Sequence, residues 1–255
     1  KELAEKNLER VYREIELPLT PILTAAGQRG VLVDAAQLKK LSGEYHRELN
    51  RLEAKIYKLT GGEFNLNSPK QLAEVLFDKL HLSLKGLKKT PGGVSSTRES
   101  ELLKLKDKHP AIAEILIYRE LQKLLTTYID NIPPLLDQAS RLHTTFNQTG
   151  TTTGRLSSRD PNLQNIPATG RGPDIRRAFM ASAGFSWAAF DYSQIEMRVL
   201  ALLSGDEELL GVFARGEDIH SAAAAKVFNV MPAAITPEMR RRAKVINFGI
   251  IYGMG

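Results

Sequence analysis

The sequence predicts an α+β protein, mostly helical with a small antiparallel sheet. Two observations carry this. Apolar residues recur at helical spacing through most of the first 130 positions and again from Ser193 onward. Between those stretches lie short apolar runs, LHTTF, AFMA and FSWAAFD, set among residues rich in Gly, Pro, Asn, Ser and Thr. A length of 255 residues is enough for one large domain or two modest ones. Hydrophobic residues at 42% and charged residues at 25% are ordinary globular values and exclude wholesale disorder.

The elements follow in order. Residues 2–27 carry Leu3, Leu8, Val11, Ile15, Leu19, Ile22 and Leu23 at a helical period. Pro18 and Pro21 should kink or break this helix, and Gly27 and Gly30 should end it. VLVD (31–34) reads as a short extended turn whose Asp34 caps a helix running to Thr60, stopped by Gly61-Gly62. Ser68-Pro69 is a cap followed by a proline in the first turn, starting a helix to about Leu80. Residues 83–98 are a basic loop by composition, followed by helices over roughly 98–107 and 110–130. Residues 142–146 read as a strand, and 147–174 as an ordered binding loop or a linker. Residues 178–181 and 185–191 read as strands joined by a turn at Ala183-Gly184. Helices are then expected over 193–203, 206–214, 218–229 and 237–252. No internal repeat or low-complexity tract interrupts the pattern.

The net charge is +6, from 35 Lys and Arg against 29 Asp and Glu, a mild basic excess compatible with a polyanionic partner. The sequence has no cysteine, which excludes disulfides and thiolate metal sites. No apolar run approaches the ~18 residues of a membrane helix, and no basic-then-apolar leader opens the chain. Cytoplasmic localisation without membrane contact is the expectation. Lys1 opens directly into a helical pattern, as a piece of a longer polypeptide would.

Several constellations can carry chemistry. In FSWAAFDYSQIEMR, Asp191 sits where an apolar run meets a helix and can point a carboxylate into a cleft to hold Mg²⁺. The competing reading is a turn or cap residue. Ser193 and Glu196 match a capping box, which gives Glu196 a structural role. In RRRAKVINFGIIYGMG, Arg240, Lys244, Phe248 and Tyr252 recur every four residues near one helix face. The two cations can hold a di- or triphosphate, and the aromatics offer faces for a sugar and a base. The alternative is a surface helix with a basic face and a buried aromatic face. Gly249 and Gly253 each cost ~1 kcal/mol in a helix interior, which suggests close approach or a bend. His220, near a helix start, is either a phosphate donor or a structural histidine. Arg155 in TTTGRLSS, and Asn162 and Gln164 in DPNLQNIP, can contact phosphate or base edges or simply form polar turns. Lys88 and Lys89 in KGLKK are a solvated loop tip or a phosphate contact.

TTTGRLSSRDPNLQNIP, DYSQIEMR and RRRAKVINFGIIYG, in that order, resemble the successive polymerase motifs of family A DNA polymerases, the bacterial DNA polymerase I type. FNLNSPKQLAEVLF, LKKTPGGVSSTRES and YRELQKLLTTYIDNIP resemble that family's thumb, so the likeness covers nearly the whole chain. The resemblance implies a right-hand polymerase. Residues 1–30 and 141–204 would be palm, 31–140 thumb, and 205–255 partial fingers, with 237–255 as the nucleotide-binding helix. It implies a replication and repair enzyme that joins deoxynucleoside triphosphates to a primer end by two-Mg²⁺ phosphoryl transfer. Asp191 would ligate both ions and the Tyr192 carbonyl one of them. Glu196 would exclude the ribose 2′-hydroxyl, with Gln194 in support. His220, Arg240 and Lys244 would hold the triphosphate, Phe248 the sugar, and Tyr252 would stand by the templating base. Arg155, Asn162 and Gln164 would follow the minor groove of primer-template DNA, and Lys88 and Lys89 would lie against the duplex.

Two departures qualify this. The family usually places an Arg directly after Ile-Pro-Val, whereas here Ile166-Pro167-Ala168-Thr169 precedes the first arginine, Arg171. The family's His-Asp-Glu motif, with its second metal-binding aspartate, is not found. The expectation is therefore a chain inactive alone that needs a carboxyl-terminal polymerase part. The alternative is a non-catalytic fragment that binds primer-template DNA.

Overall fold

A computed structural model describes residues 2–253 apart from 84, 91 and 94. The chain divides into two compact units, Lys1–Ser186 and Trp187–Gly255.

The first unit opens with α1 (Glu2–Glu5), α2 (Glu9–Val11), a π turn over Tyr12–Glu16 and α3 (Leu17–Arg29). The prolines do not break this run as expected: Pro18 falls in the first turn of α3 and Pro21 lies inside it. A π turn lies just before them. The Glu16 carbonyl, in that turn, takes hydrogen bonds from Thr20 Oγ1 (3.1 Å) and Gln148 Nε2 (2.8 Å). The helix ends at Gly30, whose φ of 60° suits glycine. Gly27 stays inside it, where an added Cβ would come within 3.2 Å of the Thr144 carbonyl.

β1 (Val31–Val33) follows, and Asp34 caps α4 (Ala35–Thr60) by accepting from the Gln37 amide at 2.9 Å. Such a cap is worth ~1 kcal/mol. Gly61 closes α4 in the left-handed conformation. Leu38, Leu41, Tyr45, Leu49, Leu52, Ile56 and Thr60 are its buried residues, three or four apart along one stripe. Ser68 caps α5 (Pro69–Ala73), which continues as a π segment to Lys79. α6 (Glu99–Leu103) and α7 (Pro110–Leu124) complete the helical part, and α7 runs on as a π segment to Ile129. The α4 stripe packs on Ile112, Ile115, Leu121 and Leu125 to form the main core. Each fully buried Leu or Ile contributes roughly 1.5–3 kcal/mol.

The predicted strand at 142–146 is two strands, β2 (Arg141–Leu142) and β3 (Thr145–Asn147). Leu142 pairs with Val31, whereas Thr145 pairs with Arg159. The chain changes sheet at His143-Thr144, where buried Thr144 Oγ1 lies 2.7 Å from Ser158 Oγ and bonds the Arg159 and Pro161 carbonyls. The stretch 147–174 is not all loop. It contains β4 (Ser157–Arg159), the antiparallel partner of β3, and the start of α8 (Gly172–Arg176). β5 (Phe179–Met180) pairs with β1, giving a three-stranded antiparallel sheet of order β2-β1-β5. The turn at Ala183-Gly184 is present, with the Phe185 amide on the Ser182 carbonyl at 2.9 Å.

The predicted strand at 185–191 does not form. A strand needs a partner ladder, and among the described residues nothing pairs with it. Phe190 is 95% exposed there.

The second unit is helical: α9 (Ile195–Ser204), α10 (Glu207–Ala214), α11 (Ile219–Val227) and α12 (Pro237–Ile251). Asp206, Asp218 and Thr236 cap the last three through the amides of Leu209 (2.9 Å), Ser221 (2.8 Å) and Met239 (3.2 Å). The Ser193–Glu196 capping box does not form. Gln194 takes a left-handed φ of 56° and becomes the N-cap residue, so α9 starts one residue too late for Ser193. A small core of Met197, Val212 and Ile219 joins α9 to α10 and α11, and α11 lies along α12. No described helix is long and apolar enough to cross a membrane.

Candidate functional site

The second unit gathers polar chemistry on α12. Four-residue spacing places Arg240, Lys244, Phe248 and Tyr252 along one side. Lys244 Nζ stands 5.7 Å from the Phe248 ring centre, and the Phe248 and Tyr252 rings stack at 6.2 Å with 15° between planes. The other cations are matched by carboxylates: Arg240 pairs with Asp218, and Arg241 and Arg242 with Glu238. Lys244 has no carboxylate partner among the described residues, so its charge faces the stripe unneutralised.

Asp218 ties three elements together. Its carboxylate accepts from Arg240 Nε (3.0 Å) and Nη2 (2.7 Å), from Gln194 Nε2 (2.8 Å) and from the Ser221 amide (2.8 Å). Burial would raise its pKa, but the Arg240 fork and the Ser221 N–H outweigh this and hold it at about 2. Gln194 also accepts from the Ile219 amide at 3.4 Å.

His220 is only 3% exposed and packs against Phe248, with ring centres 5.6 Å apart. Burial pushes its pKa down, so the ring is neutral near pH 7. Asn247 Nδ2 lies 3.1 Å from His220 Nδ1. An amide NH₂ only donates, so Nδ1 accepts and Nε2 carries the proton. Tyr252 donates its hydroxyl to Glu196 Oε1 at 3.0 Å, which joins the far end of α12 to the first turn of α9. Asp191 and Tyr192 lie exposed just ahead of α9. No group of three or more His, Asp or Glu converges among the described residues. A single carboxylate with a neighbouring carbonyl nevertheless fits Mg²⁺, which takes the rest of its octahedron from water and substrate phosphates.

The first unit holds the other predicted contacts. Asn162 and Gln164 are exposed on a loop pinned from beneath. Tyr128 donates to the Asn165 carbonyl (2.5 Å), Arg176 to the Ile166 and Pro167 carbonyls (2.7 and 2.9 Å), and Thr144 to Pro161 (2.9 Å). Arg155 is exposed between β3 and β4. Lys88 and Lys89 present exposed side chains, while the buried Glu101 carboxylate accepts from the Lys88 amide (3.0 Å) and Lys104 Nζ (2.7 Å). Those donors hold Glu101 below the usual carboxylate range. Arg171 is committed elsewhere: its fork grips Glu48 at 2.6 and 2.8 Å and its guanidinium lies over the Tyr45 ring.

The family model for DNA polymerase family A matches residues 35–255. The chain belongs to DNA polymerase family A. It is 52% identical over 252 residues to the thermostable DNA polymerase I of Thermus aquaticus, covering 98% of this chain and 30% of that one. It is 45% identical over 255 residues to DNA polymerase I of Chloroflexus aurantiacus, covering 98% of this chain and 27% of that one. Among solved structures, the POL domain of Pol1 from M. smegmatis, in complex with DNA primer-template and dNTP, matches with a TM-score of 0.91 and 39% identity. That match covers 100% of this chain and 45% of the other. The chain thus spans about 30% of the length of these curated relatives.

Two residues of this family A chain escaped sequence reasoning. Asp218 reads only as the start of a helix over 218–229, so its place as the N-cap of α11 and as the partner of Arg240 was hidden. Its place two residues before His220 was the available signal. Asn247 directly precedes Phe248 and lies off the four-residue stripe.

Proposed function

We propose that this chain forms the thumb, the first metal-binding motif and the nucleotide-binding helix of a template-directed DNA polymerase. The carrying observation is the α12 side, where Lys244, Phe248 and Tyr252 stand in line and Tyr252 reaches Glu196. Lys244 and Arg240 bind the triphosphate of a deoxynucleotide, their charge countering what develops on the phosphates. His220 Nε2–H is a further donor once phosphate reaches it. Phe248 packs on the sugar. Glu196, held by Tyr252, closes the space that a 2′-hydroxyl would need. Gln194 supports the site through Asp218.

Asp191 and the Tyr192 carbonyl would hold Mg²⁺, with a second aspartate supplied by a carboxyl-terminal polymerase part. When bound, the metal supplies the positive charge that activates the primer 3′-hydroxyl and steadies the leaving pyrophosphate. In the first unit, Arg155, between β3 and β4, and Asn162 and Gln164, on a loop fixed in advance by Thr144, Tyr128 and Arg176, follow the minor groove near the primer end. Lys88 and Lys89 contact duplex phosphates, which makes binding weaken with salt. Residues 1–30 and 141–204 act as palm, 31–140 as thumb and 205–255 as fingers.

The test is primer extension with the 255-residue chain, alone and with the carboxyl-terminal part of a family A polymerase added in trans. Extension is expected only in the mixture. Asp191→Ala abolishes it while leaving duplex binding within about twofold, and Glu196→Ala raises ribonucleotide incorporation. Robust extension by the chain alone overturns the division of labour. Equal loss of extension and DNA binding in Asp191→Ala makes Asp191 structural.

A further inference from the structure

The Arg240 guanidinium is already occupied. Its Nε and Nη2 make two parallel bonds to the two oxygens of Asp218, at 3.0 and 2.7 Å. This is the fork geometry by which arginine also takes a phosphate. A polyphosphate arriving at Lys244, one turn further along α12, meets an arginine whose fork is filled by an anion from α11. We propose that Asp218 is a positioning residue that occupies the Arg240 fork until a di- or triphosphate displaces it. The proposal rests on the reading of α12 as a polyphosphate-binding helix.

The exchange is inexpensive on the Asp218 side. Once Arg240 leaves, the carboxylate keeps the Ser221 amide at 2.8 Å and Gln194 Nε2 at 2.8 Å, so it is not left buried and bare. The exchange also releases a link between helices. Arg240 lies in the first turn of α12 and Asp218 caps α11, so their pair fixes the start of one helix to the start of the other. A phosphate that takes the arginine frees the first turn of α12 from α11, while the Asn247–His220 contact two turns later persists. Asp218 therefore does two things with one carboxylate. It holds Arg240 extended and ready, and it imposes a competition that a lone hydroxyl or a nucleoside without phosphates cannot win.

Asp218→Asn separates these roles. Asparagine caps a helix as well as aspartate, and its amide oxygen still accepts a hydrogen bond, but it no longer competes as an anion. The full 255-residue chain and this variant are titrated by calorimetry with inorganic tripolyphosphate, with dATP and with deoxyadenosine. In low salt the variant binds tripolyphosphate and dATP about threefold to fivefold more tightly, the scale of a partly exposed ion pair. The gain fades toward 1 M salt, where the Debye length is ~3 Å, and deoxyadenosine affinity does not change. In the unmodified chain, tripolyphosphate shifts the Arg240 Nε–H resonance in a ¹H–¹⁵N spectrum.

Equal or weaker tripolyphosphate binding by Asp218→Asn, with the unmodified chain binding normally, overturns the proposal and leaves the nucleotide site intact. No binding of tripolyphosphate or dATP by either protein overturns the nucleotide site and the proposal together. If the variant does not fold, the resonance decides: a ligand that binds without moving the Arg240 Nε–H signal shows a pair that is never exchanged.

Discussion

The two units bury their apolar residues to very different extents. In the first, Leu38, Ile56, Leu72, Ile112, Ile115 and Leu121 are fully covered within a core that joins α4 to α7. In the second, the core among the described residues is smaller and centres on Met197, Val212 and Ile219, while Leu202, Leu203, Val245 and Ile250 face outward and Leu203 is 81% exposed. The difference separates two ways of holding a site. The first unit fixes its 160–167 loop from a packed interior, through the buried Thr144 and Tyr128. The second fixes its α12 stripe by polar links, through Asp218, Asn247 and the Tyr252–Glu196 bond. Polar links can be exchanged for a ligand, and a packed core cannot.

The largest predicted effect breaks the comparison if it fails. Ile115→Ala should cost roughly 2–5 kcal/mol, the transfer and cavity cost of a large buried aliphatic side chain. Leu203→Ala should cost less than ~0.5 kcal/mol, as for a surface position without special contacts. Urea unfolding followed by circular dichroism and amide exchange measures both. If Leu203→Ala is as damaging as Ile115→Ala, the second unit has a covered core in solution and the contrast disappears.

A smaller effect sharpens the contrast. Thr144→Val keeps the shape but removes the hydroxyl that meets Ser158, Arg159 and Pro161. Leaving those buried acceptors short of a donor should cost about 1–2 kcal/mol. Amides of Thr145–Asn147 and of the 160–167 loop should exchange faster, and those of α12 should not change. Equal loosening of α12 would mean that its order depends on the packed loop.

The local rules were legible and the long-range ones were not. Asp34, Ser68, Gly61 and the α4 stripe each follow from a short window of sequence, and the structure has them where the window puts them. β4 was invisible because its residues, Ser157–Arg159, carry no strand pattern and are extended only by pairing with β3. The error at 185–191 has the same cause with the opposite sign: an apolar pattern suited to a strand, without a partner strand among the described residues. At the site, the spacing of Arg240, Lys244, Phe248 and Tyr252 was enough to find one side of α12. Their partners were not readable, since Asp218 and Asn247 matter only through contacts from another helix. The capping box failed for a related reason, because Gln194 is drawn to Asp218 and the Ile219 amide.

The smallest prediction sets the units against each other by pH. His143 lies between two acceptors, with Nδ1 2.9 Å from the Gly27 carbonyl and Nε2 3.0 Å from Asp137 Oδ2. Only a doubly protonated ring donates to both. The Asp137 hydrogen bond and then the Gly27 carbonyl raise its pKa above 6.5, against the smaller opposing effects of burial and, last, of Arg141. Its contribution is complete below pH 6.5 and is lost as pH rises through the raised folded value. His220 behaves oppositely. Burial, then the charges of Arg240 and Lys244, lower its pKa against the pull of Asp218. Its contribution is complete above pH 6.5 and is lost as pH falls through the lowered folded value. Raising pH from 5.5 to 8 should therefore loosen the β1–β2 pairing near Gly27 and tighten α11 against α12. Site-resolved exchange, corrected for intrinsic rates, reads both in one sample. His143→Gln should flatten the first response alone, and His220→Gln the second alone. Parallel responses in the two units would mean that some other group sets the pH dependence, and that the histidines are spectators to it.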